Sequence, residues 1–284
     1  MNNLAFSFNI FSDLAVMWQY DFMRHAFLAG TIVAIVAGVV GYFVVLRRSS
    51  FAAHALSHVG FTGAAGAVLI GANPLIGLLA FTSAGGITMA WLGKRGATRD
   101  VEIGTVLAFM LGLGVLFISL YSGYATEAYS LLFGEILGIS AGDVIVTFIA
   151  GLVIIIAIAA LYRPLLFTSL DEDVAEARGV STLLINVLFM LLVAVAVSIS
   201  VQVVGVLLIF ALMVTPAAIA HRLAKTFRAG IIWSVAIALL ATWLGLFISF
   251  YAPYPVSFFI TAIVFVIYLA VRFGRMVRTG KIII

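Results

Sequence analysis

The 284-residue sequence contains no cysteine, which excludes a disulfide framework, a thiolate metal site and a cysteine nucleophile. Charge is nearly as scarce. There are 15 basic and 11 acidic residues, where a soluble chain of this length carries about 70 charged residues. Proline occurs only 5 times, and no polar stretch is long enough to build a soluble head. Against these shortages stand hydrophobic residues at 65%. Too little polar surface remains to cover that excess in water, so a water-soluble fold and a disordered chain are both excluded. A bilayer accepts it. At about 20 mostly apolar residues per helical span, the supply bounds the number of spans near nine.

The apolar residues run continuously instead of alternating. Thr31 to Leu46 and Leu183 to Val201 carry no charge, whereas the strands of a membrane barrel alternate over about ten residues. The expectation is an all-α, polytopic integral membrane helix bundle of eight or nine spans, with residues 1–284 forming one transmembrane domain. The spans fall near 25–46, 52–72, 74–92, 103–122, 144–161, 181–201, 203–220, 229–251 and 256–271. Asn73-Pro74 and Gln202 are single polar marks between apolar runs. A re-entrant bend at either would leave eight spans.

Basic residues occupy alternate connections. Arg47 and Arg48 follow the first span, Lys94, Arg95 and Arg99 the third, Arg163 and Arg178 the fifth. Arg222, Lys225 and Arg228 follow the seventh, and Arg272, Arg275, Arg278 and Lys281 the ninth. The opposite connections carry Asp13, Asp21, Glu127, Glu135 and Asp143, with Arg24 alone basic. Lys and Arg mark the cytoplasmic side, so the N-terminus is expected outside and the C-terminus inside. The net charge of +4 is thereby placed where a cytoplasmic leaflet or partner meets it, and nucleic acid is not required. Residues 1–24 have neither an early basic residue nor a small-residue cleavage pattern, so a signal peptide is not indicated. An interfacial N-terminal helix is expected there.

The densest charge lies in Ser169-Leu170-Asp171-Glu172-Asp173-Val174-Ala175-Glu176-Ala177-Arg178-Gly179. Ser169 and Glu172 have the spacing of a capping box. The acids suit the positive end of a helix dipole and Arg178 the negative end, and Gly179 suits a left-handed stop. A short cytoplasmic helix is expected, either a plain connector or a docking element in which Ala175 and Ala177 permit close approach.

His54 and His58 stand four apart, so both imidazoles project from one helical face. Ionisable groups inside a span usually face the bundle interior, and neutral imidazole is a common metal ligand. The alternative is a pair bonded to backbone carbonyls near the interface. A His-Glu-x-x-His hydrolase is disfavoured because Ala55 occupies the position of the general base. His25 is expected at the interface, His221 at the surface of a basic loop, and Leu131 to Gly138 in a surface or re-entrant helix. Thr215-Pro216 is expected to kink its span.

These residues together resemble the permease subunit of bacterial ABC importers for zinc and manganese. The resemblance is carried by Gly41-Tyr42-Phe43-Val44-Val45-Leu46-Arg47-Arg48-Ser49-Ser50 and Ala55-Leu56-Ser57-His58. It continues through Leu131-Leu132-Phe133-Gly134-Glu135-Ile136-Leu137 and Ala175-Glu176-Ala177-Arg178-Gly179-Val180. Val204-Gly205-Val206-Leu207-Leu208 and Thr215-Pro216-Ala217-Ala218 complete it. In that order the blocks cover most of residues 25–270.

The resemblance implies a multi-pass protein of the bacterial cytoplasmic membrane. It implies a second permease copy, two ATP-binding subunits below and an extracellular metal-binding protein above. It makes 169–179 the coupling helix, with Leu170, Asp171, Ala175, Ala177, Arg178 and Gly179 toward the ATPase. It makes His58 a metal ligand, with His54 where many members carry Asp. Two nitrogen donors without a carboxylate favour zinc over manganese. The metal is cargo, and no resident cofactor is implied. No G-x-x-x-x-G-K-[ST] loop is present, since Gly93-Lys94 lacks the upstream glycine and is followed by Arg95, so ATP hydrolysis falls to a partner. A secondary transporter driven by an ion gradient is the rival reading, and it would carry acids or broken helices at the midplane.

The absence of native cysteine makes the topology directly testable. Ala97→Cys and Thr226→Cys should react with an impermeant maleimide only from the cytoplasm, Ala125→Cys and Pro253→Cys only from outside. Labelling at 97 in intact cells would reverse the orientation.

Overall fold

The computed structural model describes residues 10–92, 98–120 and 134–279. Among the described residues ten helices follow in chain order: α1 (Ile10–Met17), α2 (Asp21–Leu46), α3 (Ser50–Leu69), α4 (Pro74–Leu92), α5 (Thr98–Leu120), α6 (Ala141–Leu170), α7 (Glu172–Ala177), α8 (Thr182–Leu223), α9 (Phe227–Tyr251) and α10 (Val256–Thr279). Seven of them are long and apolar enough to cross a membrane. Several N-termini are closed by the polar residue that precedes the apolar run. Ser140 and Asp143 form a capping box on α6, Ser181 accepts the Leu184 N–H on α8, and Thr226 accepts the Ala229 N–H on α9.

Packing contacts give the direction of each helix. Gly63 lies on Gly77, Gly60 on Leu78 and Thr82, and Gly85 on Leu56 and Val59, so α3 and α4 are antiparallel. Gly104 faces Phe51 and Gly66 faces Phe117, so α5 runs parallel to α3. Gly151 meets Ile32 and Val36, while Tyr162 meets Phe43, so α6 runs parallel to α2. Gly30 meets Thr242 and Gly38 meets Val235, so α9 opposes α2. The arginine pair Arg47 and Arg48 thus shares one end of the bundle with Arg178, Arg222 and Arg228, the sorting expected from charge.

The 42-residue α8 is not a rod. Its residue Gly205 has φ 80° and ψ 165°, outside helical space. Asn186, near the start of α8, bonds Arg47, and His221, near its end, lies 3.2 Å from the Tyr42 carbonyl. A straight helix would separate residues 186 and 221 by about 52 Å, whereas Tyr42 and Arg47 are separated by about 7.5 Å along α2. The two halves therefore fold back on each other at Gly205. Counting α8 twice and adding the 20-residue α3 makes nine candidate traverses among the described residues, within the eight or nine expected. The break falls three residues beyond Gln202, because only glycine takes this backbone conformation without strain. Pro216 lies inside the second half, where Gly205 remains the only non-helical position.

Other expectations need correction. Asp13 on α1 is buried, and its carboxylate is hydrogen-bonded by Tyr251. The N-terminal helix is therefore docked into the bundle through Asp13 and the fully buried Met17, not merely laid on an interface. His221 is no loop residue: it ends α8 with its ring stacked on Tyr42, centroids 4.3 Å apart and planes within 3°. Glu135 to Gly138 form a turn closed by a 2.7 Å bond from the Gly138 N–H to the Glu135 carbonyl, not a helix. Leu131 to Phe133 and Glu127 lie outside the described residues.

Backbone contact between small residues holds the interior. A methyl group placed on Gly63 would come within 2.2 Å of the Gly77 carbonyl oxygen, and one on Gly41 within 1.9 Å of the Met213 carbonyl oxygen. In lipid, where apolar side chains gain little by leaving the solvent, such close approach supplies the packing energy. Gly63→Ala should accordingly destabilise the protein by about 1–3 kcal/mol, the usual range for overpacking. The measurement is the thermal midpoint in detergent, and an unchanged midpoint would mean that α3 and α4 separate without penalty.

Candidate metal site and cytoplasmic docking helix

His54 and His58 lie in the first half of α3, each half-buried. Their rings meet edge to face at 4.7 Å between centroids and 87° between planes. The Nδ1 atoms of both are buried and have no hydrogen-bond partner among the described residues. For these atoms the carbonyl-bonded alternative therefore does not hold. An imidazole nitrogen sequestered without a partner loses the hydration it has in water. Their neighbours on α3 are small or apolar: Ala52, Ala53, Ala55 and Leu56 are all buried.

Phe210, from the second half of α8, places its ring 4.6 Å from that of His54. It walls the pair from one side. Nothing in the sequence marks it, since it is one of 23 phenylalanines in an uninterrupted apolar run. Among the described residues, no group of three or more His, Cys, Asp or Glu side chains converges on a common point. His54 and His58 therefore stand as a pair, without a third such side chain beside them among the described residues.

At the end opposite the arginines, Glu135, Asp143, Gln202 and Asn73 line a recess of about 210 Å³. Gln202 donates to the Asp143 carboxylate at 3.2 Å. His25 stands beside this end, 3.2 Å from the Ile139 carbonyl.

The expected short helix is present as α7, with a different N-terminus. Asp171, not Ser169, is the cap: its carboxylate accepts the Val174 N–H at 3.0 Å. Ser169 remains in the last turn of α6 and bonds back to the Leu165 carbonyl. An α6 that continues to Leu170 leaves only Asp171 to turn the chain. The C-terminus is as expected. Gly179 has φ +82°, and the Val180 N–H reaches the Ala175 carbonyl at 3.0 Å. Ala175 is fully buried against the bundle and so does not face a partner, whereas Ala177 and Arg178 are exposed. Leu170 and Val174 are also exposed, at 64% and 46%, and extend an apolar face on the arginine end. Thr182 donates to Glu176, which ties α7 to α8.

The protein-family comparison matches residues 19–275 to the ABC 3 transport family. The chain is 33% identical to the manganese import system permease protein ScaB of Streptococcus parasanguinis, over 82% of this chain and 83% of that protein. It is 28% identical to the high-affinity zinc uptake system membrane protein ZnuB of Haemophilus influenzae, over 81% of this chain and 89% of that one. Among solved structures it resembles a chain of PsaBC from Streptococcus pneumoniae in complex with Fab. The TM-score there is 0.84 at 29% identity, covering 96% of this chain and all of that one. The chain belongs to the ABC 3 transport family, as a membrane-embedded permease subunit that does not itself bind nucleotide.

Proposed function

We propose that this chain conducts a divalent metal ion, zinc in preference to manganese, into the cytoplasm as the permease of an ATP-driven importer. The observation that carries the reading is the pair His54 and His58, two adjacent imidazoles inside an apolar bundle with both Nδ1 atoms unpaired. Two borderline nitrogen donors without a carboxylate suit zinc better than the harder manganese ion. Relatives named for manganese and for zinc both stand close, so both ions belong in every test.

The mechanism is alternating access. A loaded extracellular metal-binding protein docks at the end that carries Glu135 and Asp143 and releases the ion toward α3. His54 and His58 take it up as neutral imidazoles, which need lose no proton at neutral pH. Two ATP-binding subunits close on one another and press on α7 of each of two permease copies. The exposed face of Leu170, Val174 and Ala177 is the contact, and the left-handed stop at Gly179 keeps the helix short and rigid. The arginine end, with the C-terminus, lies in the cytoplasm. The exposed α7 favours this scheme over a transporter driven by an ion gradient, which has no use for a docking helix.

His54→Ala and His58→Ala should each weaken zinc binding in equilibrium dialysis by more than about tenfold, the lower limit seen even for residues behind the ligands. Both should abolish ATP-dependent zinc uptake in a transport-deficient strain that co-expresses the ATPase. Normal uptake in both variants would remove the metal site from α3.

Ala177→Trp should leave membrane levels intact and break co-purification with the ATP-binding subunit. Gly179→Val should act in the same direction, because a β-branched residue strongly resists positive φ. Undiminished co-purification of Ala177→Trp would move the contact to the basic stretch from His221 to Arg228.

A further inference from the structure

Arg47 caps the C-terminus of α2, and its guanidinium gathers three helices. One nitrogen donates to Thr168 Oγ1 at 2.8 Å, Ser169 Oγ at 3.2 Å and the Leu165 carbonyl at 3.4 Å, all in the last turns of α6. The other donates to the Asn186 amide oxygen on α8. The cation also lies over the ring of Phe189, 5.2 Å from its centroid. A planar fork with several donors can hold such a set, and an ammonium cannot.

The backbone on either side is equally constrained. On one side, α6 passes into α7 through Asp171 alone, so a push on α7 moves Leu165 to Ser169. On the other side, only Arg47, Arg48 and Ser49 separate α2 from α3. The Ser49 N–H bonds the Val44 carbonyl at 2.9 Å and the Arg48 N–H bonds the Val45 carbonyl at 3.1 Å. This is the paired bonding of a Schellman stop, with Arg48 at φ +53° where glycine is usual. Arg48 is the only non-glycine residue at positive φ among the described residues. Strain of this kind persists where the surroundings over-determine the backbone. The Ala53 N–H then bonds the Ser49 carbonyl at 3.0 Å and opens the turn that carries His54. A cleft of about 720 Å³, lined by Arg47, Arg48, Asp100, Glu172 and Asp173 among others, leaves space beside this junction.

We infer that Arg47 is the positioning residue through which displacement of α7 reaches α3 and its histidines. The inference rests on the reading of α7 as the ATPase contact. Arg47 belongs neither to the histidine pair nor to the exposed face of α7. It makes the end of α6, the start of α8 and the link into α3 move as one body, so that ATP-driven movement re-aims the helix that holds the ion.

The test uses the purified complex of permease and ATP-binding subunits in proteoliposomes, supplied with Zn²⁺- or Mn²⁺-loaded binding protein. Three quantities are read: basal ATP hydrolysis, metal bound at equilibrium, and ions accumulated per ATP hydrolysed. Arg47→Gln should leave the first two within about twofold. The ion-to-ATP ratio should fall severalfold. Arg47→Lys, which keeps one charge-assisted bond, should recover part of the ratio. Thr168→Val removes the shortest of the α6 bonds at constant volume and should lower the ratio in the same direction, including if Arg47→Gln fails to assemble. An unchanged ratio in Arg47→Gln, or in Thr168→Val if the first variant does not assemble, would overturn the inference. So would a loss of all three quantities in step with folded protein, because that is the signature of a purely structural strut. If the unaltered chain neither binds an ATP-binding subunit nor accumulates metal, the importer reading itself fails, and this inference with it, before any variant is compared.

Discussion

Placing two imidazoles side by side in an apolar bundle, with no partner for either Nδ1 among the described residues, is the demand that the surrounding structure has to meet. Polar nitrogens in hydrocarbon are tolerated only where protein surrounds them or water reaches them. The small residues of α3 serve that end. Contact between Gly63 and Gly77 brings α4 against α3 at backbone distance, and a hydrogen bond from Thr62 to the Met110 carbonyl brings in α5. The reversal of α8 at Gly205 then returns a second helix past the site, which delivers Phe210 to His54. Without that reversal the ring that walls the pair would have no route to it.

The same economy governs the arginine end. Membrane helices cannot leave backbone carbonyls or charges unpaired next to lipid, so the ends of α2, α6 and α8 share one guanidinium. This consolidation also joins α7 to α3 by a short chain of hydrogen bonds and a three-residue link. In the proposed coupling, structure and transmission are served by the same contacts, which is why the ratio of ions to ATP, and not stability alone, distinguishes them.

Much of the fold was legible from composition and charge. Runs without charge predicted helices, and the alternate placement of arginine fitted a nine-span reading that included the two halves of α8. The point of reversal was missed by three residues because Gln202 is the polar residue, whereas backbone geometry needs glycine. Asp13 and His221 were misplaced for a related reason. Each is polar near a helix end, but each has a tertiary partner, Tyr251 or Tyr42, that no local pattern predicts. The pairing of His54 and His58 on one face was legible because i and i+4 spacing is a local property of a helix. Gly179 was legible because its left-handed role is local too. Phe210, the inward face of Ala175 and the reach of Arg47 to residues more than a hundred positions away depend on how helices pack, which periodicity does not encode. The capping box was assigned to Ser169 because α6 continues further than its apolar run does.

The most direct test of the metal assignment is X-ray absorption at the zinc and manganese edges on the assembled permease and ATPase complex, loaded with one ion at a time. The account predicts the outer-shell scattering of imidazole rings around a bound zinc ion, with at least two histidine ligands per site. A shell made only of oxygen atoms, with no imidazole scattering at either edge, would contradict it.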